Sequence, residues 1–294
     1  MEEIVYLNGT LIPRSQARMS VFDHGFLYGY GLFETMRAYH GTIFLLDRHL
    51  KRLLDSAAVI GLGTGPDSID LTKACTDTLK ANALQEARLR LTISRGEVAS
   101  FPGSGSDVTP TVLVTATGYS PMPAQTYDKG FKAGVSSFRR CSQSPLSRLK
   151  STNYLLSVLA RAEAEADGLD ESLLLNERDF ITEGSISNVF FVANSGLITP
   201  PVESGILPGI TRQVAMELAG ALGINVREVD IRLEDLGHFD EAFLTNSVME
   251  LIPLVEVRDK AGKFTTIGSG KTGKITRRLM AAYREMVERE TAPV

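Results

Sequence analysis

The chain has no tryptophan, two cysteines, four histidines, no block of like charges and no apolar run of bilayer length. Cys75 and Cys141 lie far apart with no metal-like spacing, and His24, His40, His49 and His238 do not cluster. Neither a structural disulfide nor a zinc site is therefore expected. A net charge of −4 spread over 294 residues offers no basic face for nucleic acid or an anionic membrane. The N-terminal MEEIVYLNGTLIPRS lacks the charged head and apolar core of a targeting signal, and no window of about 18 apolar residues follows. These absences point to a cytoplasmic protein whose partners are small molecules or other proteins. What is present, 43% hydrophobic and 22% charged residues, suits a soluble chain with two cores.

The first third alternates strand-like and helical pieces. EIVYLNGTLI and LFETMRAYHGTIFLL read as hairpins turning at Asn8-Gly9 and His40-Gly41. DRHLKRLLDSAAVIGLG reads as a helix capped by Asp47, buried through Leu50, Leu53, Leu54, Ala57 and Ile60 and stopped by Gly61. A second helix is expected over roughly Ile69 to Asn82, then the strand ARLRLTISRG. Residues 96–110 are rich in glycine, serine and proline, the composition of a lid or a disordered loop. After the strand TVLVTAT, GYSPMPAQTYDKG reads as an extended, proline-bearing linker. The expected division is an N-terminal domain over 1–121, a linker over 122–128 and a C-terminal domain over 129–294.

The C-terminal part opens with the strand FKAGVSSFRR and reaches SRLKSTNYLLSVLARAEAEA. From Tyr154 onward, Leu155, Val158, Leu159, Ala162 and Ala166 recur at helical spacing, the stripe of a helix lying on a core, with Ser151 or Thr152 as N-cap. Lys150 would then stand beside the positive end of the helix dipole, which disfavours an ammonium and favours a nucleophilic amine. The strand-rich ESLLLNERDFITEGSISNVFFVANSGLITPP, turning at NERD and NSG, follows it. An amphipathic helix comes next in GILPGITRQVAMELAGALG, then the strand NVREVDI, two strands in DEAFLTNSVMELIPLVEV, and a closing helix from about Gly270. Strands and helices without regular βαβ alternation argue for an α+β fold.

Four further features carry chemistry. Glu183 lies among glycine and serines in TEGSISN, where a buried acid requires a cationic or N–H partner. Ile210 and Thr211 in LPGITR open a helix whose first N–H groups suit a phosphate. Asn246 and Ser247 form a small polar turn in LTNSVME. Arg48 stands in the first turn of its helix, where a cation calls for a nearby anion. A primary amine, a carboxylate and two phosphate-type cradles are the parts that pyridoxal phosphate requires.

The ordered segments LKSTNYLLSVLARAEAEADGLDESLLLNERDFITEGSISNVFFV, LITPPVESGILPGITR and FDEAFLTNSVMELIPLVEV resemble the class IV aminotransferases, the fold-type IV pyridoxal-phosphate enzymes, over nearly the whole chain from Leu7. The resemblance implies a smaller N-terminal α/β domain for the substrate pocket and a larger C-terminal pseudo-barrel domain for the cofactor. It implies that Lys150 carries the internal aldimine and moves the proton between substrate Cα and cofactor, and that Glu183 pairs with the pyridine nitrogen. Tyr154 would donate to the ring's phenolic oxygen, although its spacing from the lysine differs by one residue from that in some relatives. Arg48, Ile210, Thr211 and Ser247 would grip the phosphate, Leu207 would pack on the ring, and Ser187 and Asn188 would line the cofactor.

Within the family, Tyr28, Phe33, Glu34 and Arg37 of YGYGLFETMRAY resemble the branched-chain aminotransferases, whereas Thr35, LTISRG and Asn246 lean toward the aminodeoxychorismate lyases. Tyr28, Phe33, Thr35, Arg37, Arg90 and Val248 are the implied substrate contacts, with Arg90 meeting a substrate carboxylate through bidentate bonds. The Arg-x-His pair of D-amino acid enzymes is absent after Arg95. The expected activity is transfer of an amino group from an apolar L-amino acid to 2-oxoglutarate. Release of pyruvate from aminodeoxychorismate comes second, a D-amino acid or R-amine transaminase third, and a non-catalytic cofactor-binding protein is the remaining alternative. A homodimer with the active site at its interface is implied by resemblance alone.

Overall fold

The computed structural model describes residues 2–62, 69–97 and 109–292, so most of the expected loop over 96–110 lies outside the described residues. The chain forms two compact units. One comprises Met1–Ser120, Leu149–Asn153 and Val287–Val294, and the other Pro121–Arg148 and Tyr154–Met286.

In the first unit, β1 (Ile4–Leu7) and β2 (Thr10–Pro13) form the expected hairpin, with Asn8 (φ 48°) and Gly9 (φ 98°) in the left-handed turn that matches strand twist. A short helix, α1 (His24–Tyr28), is capped by the Asp23 carboxylate, which accepts from the Gly25 N–H at 2.6 Å. β3 (Gly31–Tyr39), β4 (Thr42–Ile43), α2 (Leu46–Val59), α3 (Leu71–Ala81), β5 (Ala87–Ser94) and β6 (Thr111–Gly118) follow. The six strands form an antiparallel sheet in the order β2-β1-β6-β5-β3-β4. Leu50, Leu53 and Ala57 of α2 and Cys75 and Leu79 of α3 bury against Leu32, Met36, Leu89 and Leu91 of the sheet. Leu54, expected on that face, is instead exposed. The N-cap of α2 is Leu45 in a left-handed conformation, not Asp47, whose carboxylate sits in the first turn beside the helix dipole.

In the second unit, the segment expected as an extended linker contains a helix, α4 (Ala124–Lys129), begun by Pro123 as N-cap and ended by Gly130. Proline is at ease at a helix start because the missing N–H has no partner there. β7 (Phe131–Arg140), α5 (Leu155–Ala166), β8 (Glu171–Asn176), β9 (Ile181–Gly184), β10 (Asn188–Ala193), β11 (Gly196–Thr199), α6 (Ile210–Ala221), β12 (Val226–Glu228), β13 (Glu241–Asn246), β14 (Glu250–Arg258) and β15 (Phe264–Thr266) complete its main elements. The closing helix, α7 (Lys274–Thr291), passes into the first unit at Val287.

The strands run β12-β11-β10-β13-β14-β7-β8-β9, and β9 also pairs with β10. That extra pairing closes a circuit of strands, β10-β13-β14-β7-β8-β9, through the single pair Asn188 and Glu183. The ring is therefore sealed at two of the expected site residues. Its core includes Leu173, Val189, Phe191, Leu244, Ile252 and Leu254.

α5 departs from expectation in two ways. Its N-cap is Tyr154, because Ser151 and Thr152 are committed to β3: Ser151 bridges Leu32, and the Thr152 N–H donates to the Gly31 carbonyl at 2.9 Å. Its buried face is Ser157, Ala160 and Ala164, small residues that permit close packing on β7 and β8, while Leu155, Val158 and Leu159 are exposed on the single chain. Among the described residues no helix is long and apolar enough to cross a membrane, and no three metal-ligating side chains form a group.

Candidate active site

Lys150 belongs to the first unit and precedes the Tyr154 N-cap of α5 in sequence, outside the helix's first turn. The dipole argument for its reactivity therefore does not hold. Its position is fixed by β3, where the Phe33 N–H donates to the Lys150 carbonyl at 2.8 Å. Its ammonium nitrogen lies 4.7 Å from the centre of the Phe33 ring. The Arg90 guanidinium stacks on the same ring at 3.8 Å, and Arg90 is the cross-strand partner of Thr35. The alternation of β3 and β5 thus puts Phe33, Thr35 and Arg90 on one face, where the Phe33 ring meets the Lys150 amine.

Arg37, on the same face of β3, is buried between Tyr39 and Tyr119, with its guanidinium carbon 4.2 and 4.7 Å from their ring centres, and pairs with Glu86 at 3.6 Å. Tyr28 ends α1 half-exposed, its ring edge-on to buried His24. Arg48 is partly exposed in the first turn of α2.

The opposite face of β3 carries a charge cluster that sequence reasoning left without a role. Glu34 is fully buried and accepts from Arg52 Nε at 2.8 Å and Nη2 at 2.6 Å, and His49 Nδ1 lies 2.7 Å from it. Burial alone would raise the Glu34 carboxyl, but Arg52 and His49 outweigh it and hold its pKa at about 2. Burial pushes His49 below its ordinary value despite Glu34, and the charges of Arg52 and Lys150 add to that direction. A neutral His49 donating through Nδ1 satisfies these observations. The signal was available in HLKR, which places His49 and Arg52 three residues apart and hence on one helix face.

In the second unit, Glu183 is buried at the end of the barrel circuit. Arg140 Nη1 contacts one of its oxygens at 3.0 Å, while the other accepts from Asn188 Nδ2 at 3.0 Å and the Leu207 N–H at 2.9 Å. A carboxylate so paired has the cationic partner its burial requires. Arg140 itself was not anticipated, although a second arginine ending an apolar strand in FRR is unusual for a solvated side chain. Asn188 also donates to the Leu207 carbonyl at 2.9 Å, so β10 and the loop before α6 are tied at Glu183.

That loop leads to α6, whose N-cap, Gly209, provides no side-chain cap, and whose first residues, Ile210 and Thr211, are buried. A Cβ at Gly209 would come 2.0 Å from Asn188 Oδ1, so only glycine allows this approach. Thr245, opposite Asn188 on β13, has a buried hydroxyl with no partner among the described residues. Ser247 and Val248 lie in the next turn, which Asn246 Oδ1 braces by accepting from the Val248 and Met249 N–H groups at 2.9 and 2.7 Å. The Tyr154 hydroxyl donates to the Ser185 carbonyl at 3.4 Å. Its pKa is raised by burial and then by the charge of Glu183, so the phenol stays protonated. Ser187 is buried, with its hydroxyl on Glu171 at 2.8 Å.

The amino-transferase class IV family matches residues 31–257. A putative branched-chain-amino-acid aminotransferase of Methanocaldococcus jannaschii is 37% identical, covering 96% of this chain and 96% of that protein. The aminodeoxychorismate lyase of Bacillus subtilis is 34% identical over 97% of this chain and 95% of its own. Among solved structures, the branched-chain amino acid aminotransferase of Escherichia coli superposes with a TM-score of 0.89 at 31% identity, covering 99% of this chain and 96% of that one.

Proposed function

Because the chain belongs to the class IV aminotransferases, a pyridoxal-phosphate-dependent family, we propose that it moves the amino group of an apolar L-amino acid to 2-oxoglutarate in a ping-pong cycle. The observation that carries this is the Phe33 ring, which holds both the Lys150 amine and the Arg90 guanidinium. One group suits proton transfer at a substrate Cα and the other suits a substrate carboxylate.

The residues fit the cofactor: a buried carboxylate with its own cation, an uncapped helix start that a Cβ at Gly209 would crowd, and an orphaned hydroxyl at Thr245. Bound pyridoxal phosphate supplies an aldehyde for amines and a ring that withdraws electrons from the substrate Cα. Lys150 takes the Cα proton and returns it. Glu183, oriented by Arg140, holds a proton at the ring nitrogen, and Tyr154 turns its one phenolic proton from the Ser185 carbonyl to the ring oxygen. The N–H groups of Ile210 and Thr211, the Thr211 hydroxyl and Ser247 bind the phosphate. Leu207 packs against the ring, with Ser187 and Asn188 beside it.

An arginine of α2 completes the phosphate grip. Arg48 has the resemblance in its favour, but Arg52 is the one whose direction Glu34 fixes by two bonds. Arg90 receives the carboxylate, while Tyr28, Phe33, Thr35, Arg37 and Val248 shape the side-chain pocket.

Aminodeoxychorismate lyase chemistry remains as a second reading, favoured by Thr35, whose hydroxyl lies on the strand position paired with Arg90. Mixing the cofactor-loaded protein with L-leucine or L-glutamate and no oxo acid separates the two. Stoichiometric appearance of oxo acid and pyridoxamine phosphate supports transamination. Pyruvate released from aminodeoxychorismate, with no reaction of L-amino acids, would replace it with the lyase. With both substrates varied, parallel initial-rate lines are expected, and intersecting lines would contradict the ping-pong cycle.

A further inference from the structure

Glu171, the first residue of β8, is a second buried carboxylate in the larger unit and has no part in the roles assigned above. One of its oxygens accepts from the Ser172 N–H at 2.8 Å, the Ser185 N–H at 3.1 Å and the Ser185 hydroxyl, and the other accepts from the Ser187 hydroxyl at 2.8 Å. Arg161 Nη1 approaches at 3.9 Å. An ionised carboxylate has about four acceptor positions and no donor, so this set of donors fills it.

Three of those donors belong to the turn Gly184–Ser187, which joins β9 to β10 and is closed by the Gly184 N–H on the Ser187 carbonyl at 2.6 Å. The turn is tight: a Cβ at Gly184 would stand 2.2 Å from Ser187 Oγ and 3.0 Å from the Glu171 carboxyl carbon. Glu183 precedes the turn and Asn188, which bonds Glu183, follows it. The Ser185 carbonyl within it accepts from the Tyr154 hydroxyl.

We infer that Glu171 is a positioning residue: by anchoring the Gly184–Ser187 turn it sets the Glu183 carboxylate and keeps the Ser185 carbonyl where it places the Tyr154 hydroxyl until the cofactor takes that proton. This rests on the cofactor roles proposed for Tyr154 and Glu183. The charge of Glu171 also acts on Tyr154 in the same direction as burial and Glu183, keeping the phenol protonated.

Glutamine and alanine separate anchoring from bulk stability. In Glu171→Gln the amide oxygen can keep the three contacts of one carboxylate oxygen, while the Ser187 hydroxyl rotates to accept from the amide nitrogen. In Glu171→Ala the Ser185 N–H and both hydroxyls lose their acceptor.

The test compares full-length wild type, both variants, Ser185→Ala and Tyr154→Phe. It measures amide exchange over 184–188 without cofactor, pyridoxal phosphate affinity, and the pH titration of the bound cofactor's visible band. Glu171→Ala should speed exchange in the turn, weaken cofactor binding roughly tenfold, and move the titration in the same direction as Tyr154→Phe. Glu171→Gln should stay within about twofold of wild type in affinity. Ser185→Ala, which removes one contact, should show a smaller loss of about threefold and decides the matter if the alanine variant does not fold.

Wild-type affinity and titration in Glu171→Ala, with only a lower melting temperature, would overturn the inference. So would unchanged binding in Ser185→Ala, or a Glu171→Gln variant impaired like alanine while its turn stays protected. A wild-type protein that bound no pyridoxal phosphate would sink the proposed function and leave the exchange comparison standing.

Discussion

Arg52 and Arg48 differ by one helical turn on α2, yet the structure treats them differently. Both are partly exposed, but Arg52 makes two charge-assisted bonds to buried Glu34, whereas Arg48 stands at the helix start. A preset guanidinium loses less freedom on binding an anion. Arg52→Ala is therefore expected to weaken pyridoxal phosphate binding at least roughly tenfold, and Arg48→Ala less than about threefold, by titration of cofactor absorbance. The reverse order would return the phosphate contact to Arg48. At this scale the sequence was legible where chemistry is sparse. Glu183 stood out because a buried acid calls for a partner, and Lys150 through a dipole argument that the start of α5 does not support and through the family motif. Arg140 and Glu171 did not, because their meaning lies in pairings between segments distant in sequence, and Arg52 showed only its shared helix face with His49, not the Glu34 that both meet.

At the scale of elements, the Glu34–His49–Arg52 cluster joins α2 to β3, and its titration sets a pH dependence. His49 is held below its ordinary value of 6.5, so the unfolded chain takes up a proton there that the native one refuses, and stability falls as pH drops below that value. Glu34 has a folded pKa of about 2 against an ordinary 4.5, so its contribution is present above 4.5 and lost between 4.5 and 2. Stability against thermal unfolding should thus fall in two acid windows, with a slope of at most about 1.4 kcal/mol per pH unit for each group. His49→Asn should abolish the upper window and only narrow the lower one, since Arg52 remains as a partner of Glu34. An unchanged upper window in that variant would remove His49 from the account.

Helix and strand periodicity recovered β1, β3, β5 and α3 because each has a clear pattern and a turn or cap of its own. It failed at α4, where proline pointed to extended chain but began a helix. At α5 the hydroxyls expected to cap the helix were claimed by β3. The apolar stripe of α5 was read correctly as a stripe and wrongly as a surface on the core.

At the scale of the molecule, that stripe acquires a purpose. Leu155, Val158 and Leu159 on the larger unit, and Met19, Val21, Phe22 and Phe26 on the smaller, expose large apolar side chains on the single chain. Such groupings suit subunit contact, and we propose a homodimer as their occupant. Val158→Asp is expected to shift sedimentation from dimer toward monomer, whereas a wild-type monomer at micromolar concentration would contradict the proposal.

The barrel circuit was accessible only through family resemblance, since its closing pair, Glu183 and Asn188, is a tertiary event between short strands. It is also what ties the ring acid to the loop leading into α6. The claim on which all of this depends is that Lys150 carries the cofactor. Borohydride reduction of the cofactor-loaded protein, followed by peptide mass spectrometry, tests it most directly. The pyridoxyl group is expected on Lys150 alone, and its recovery on another lysine, or on none, would contradict the assignment.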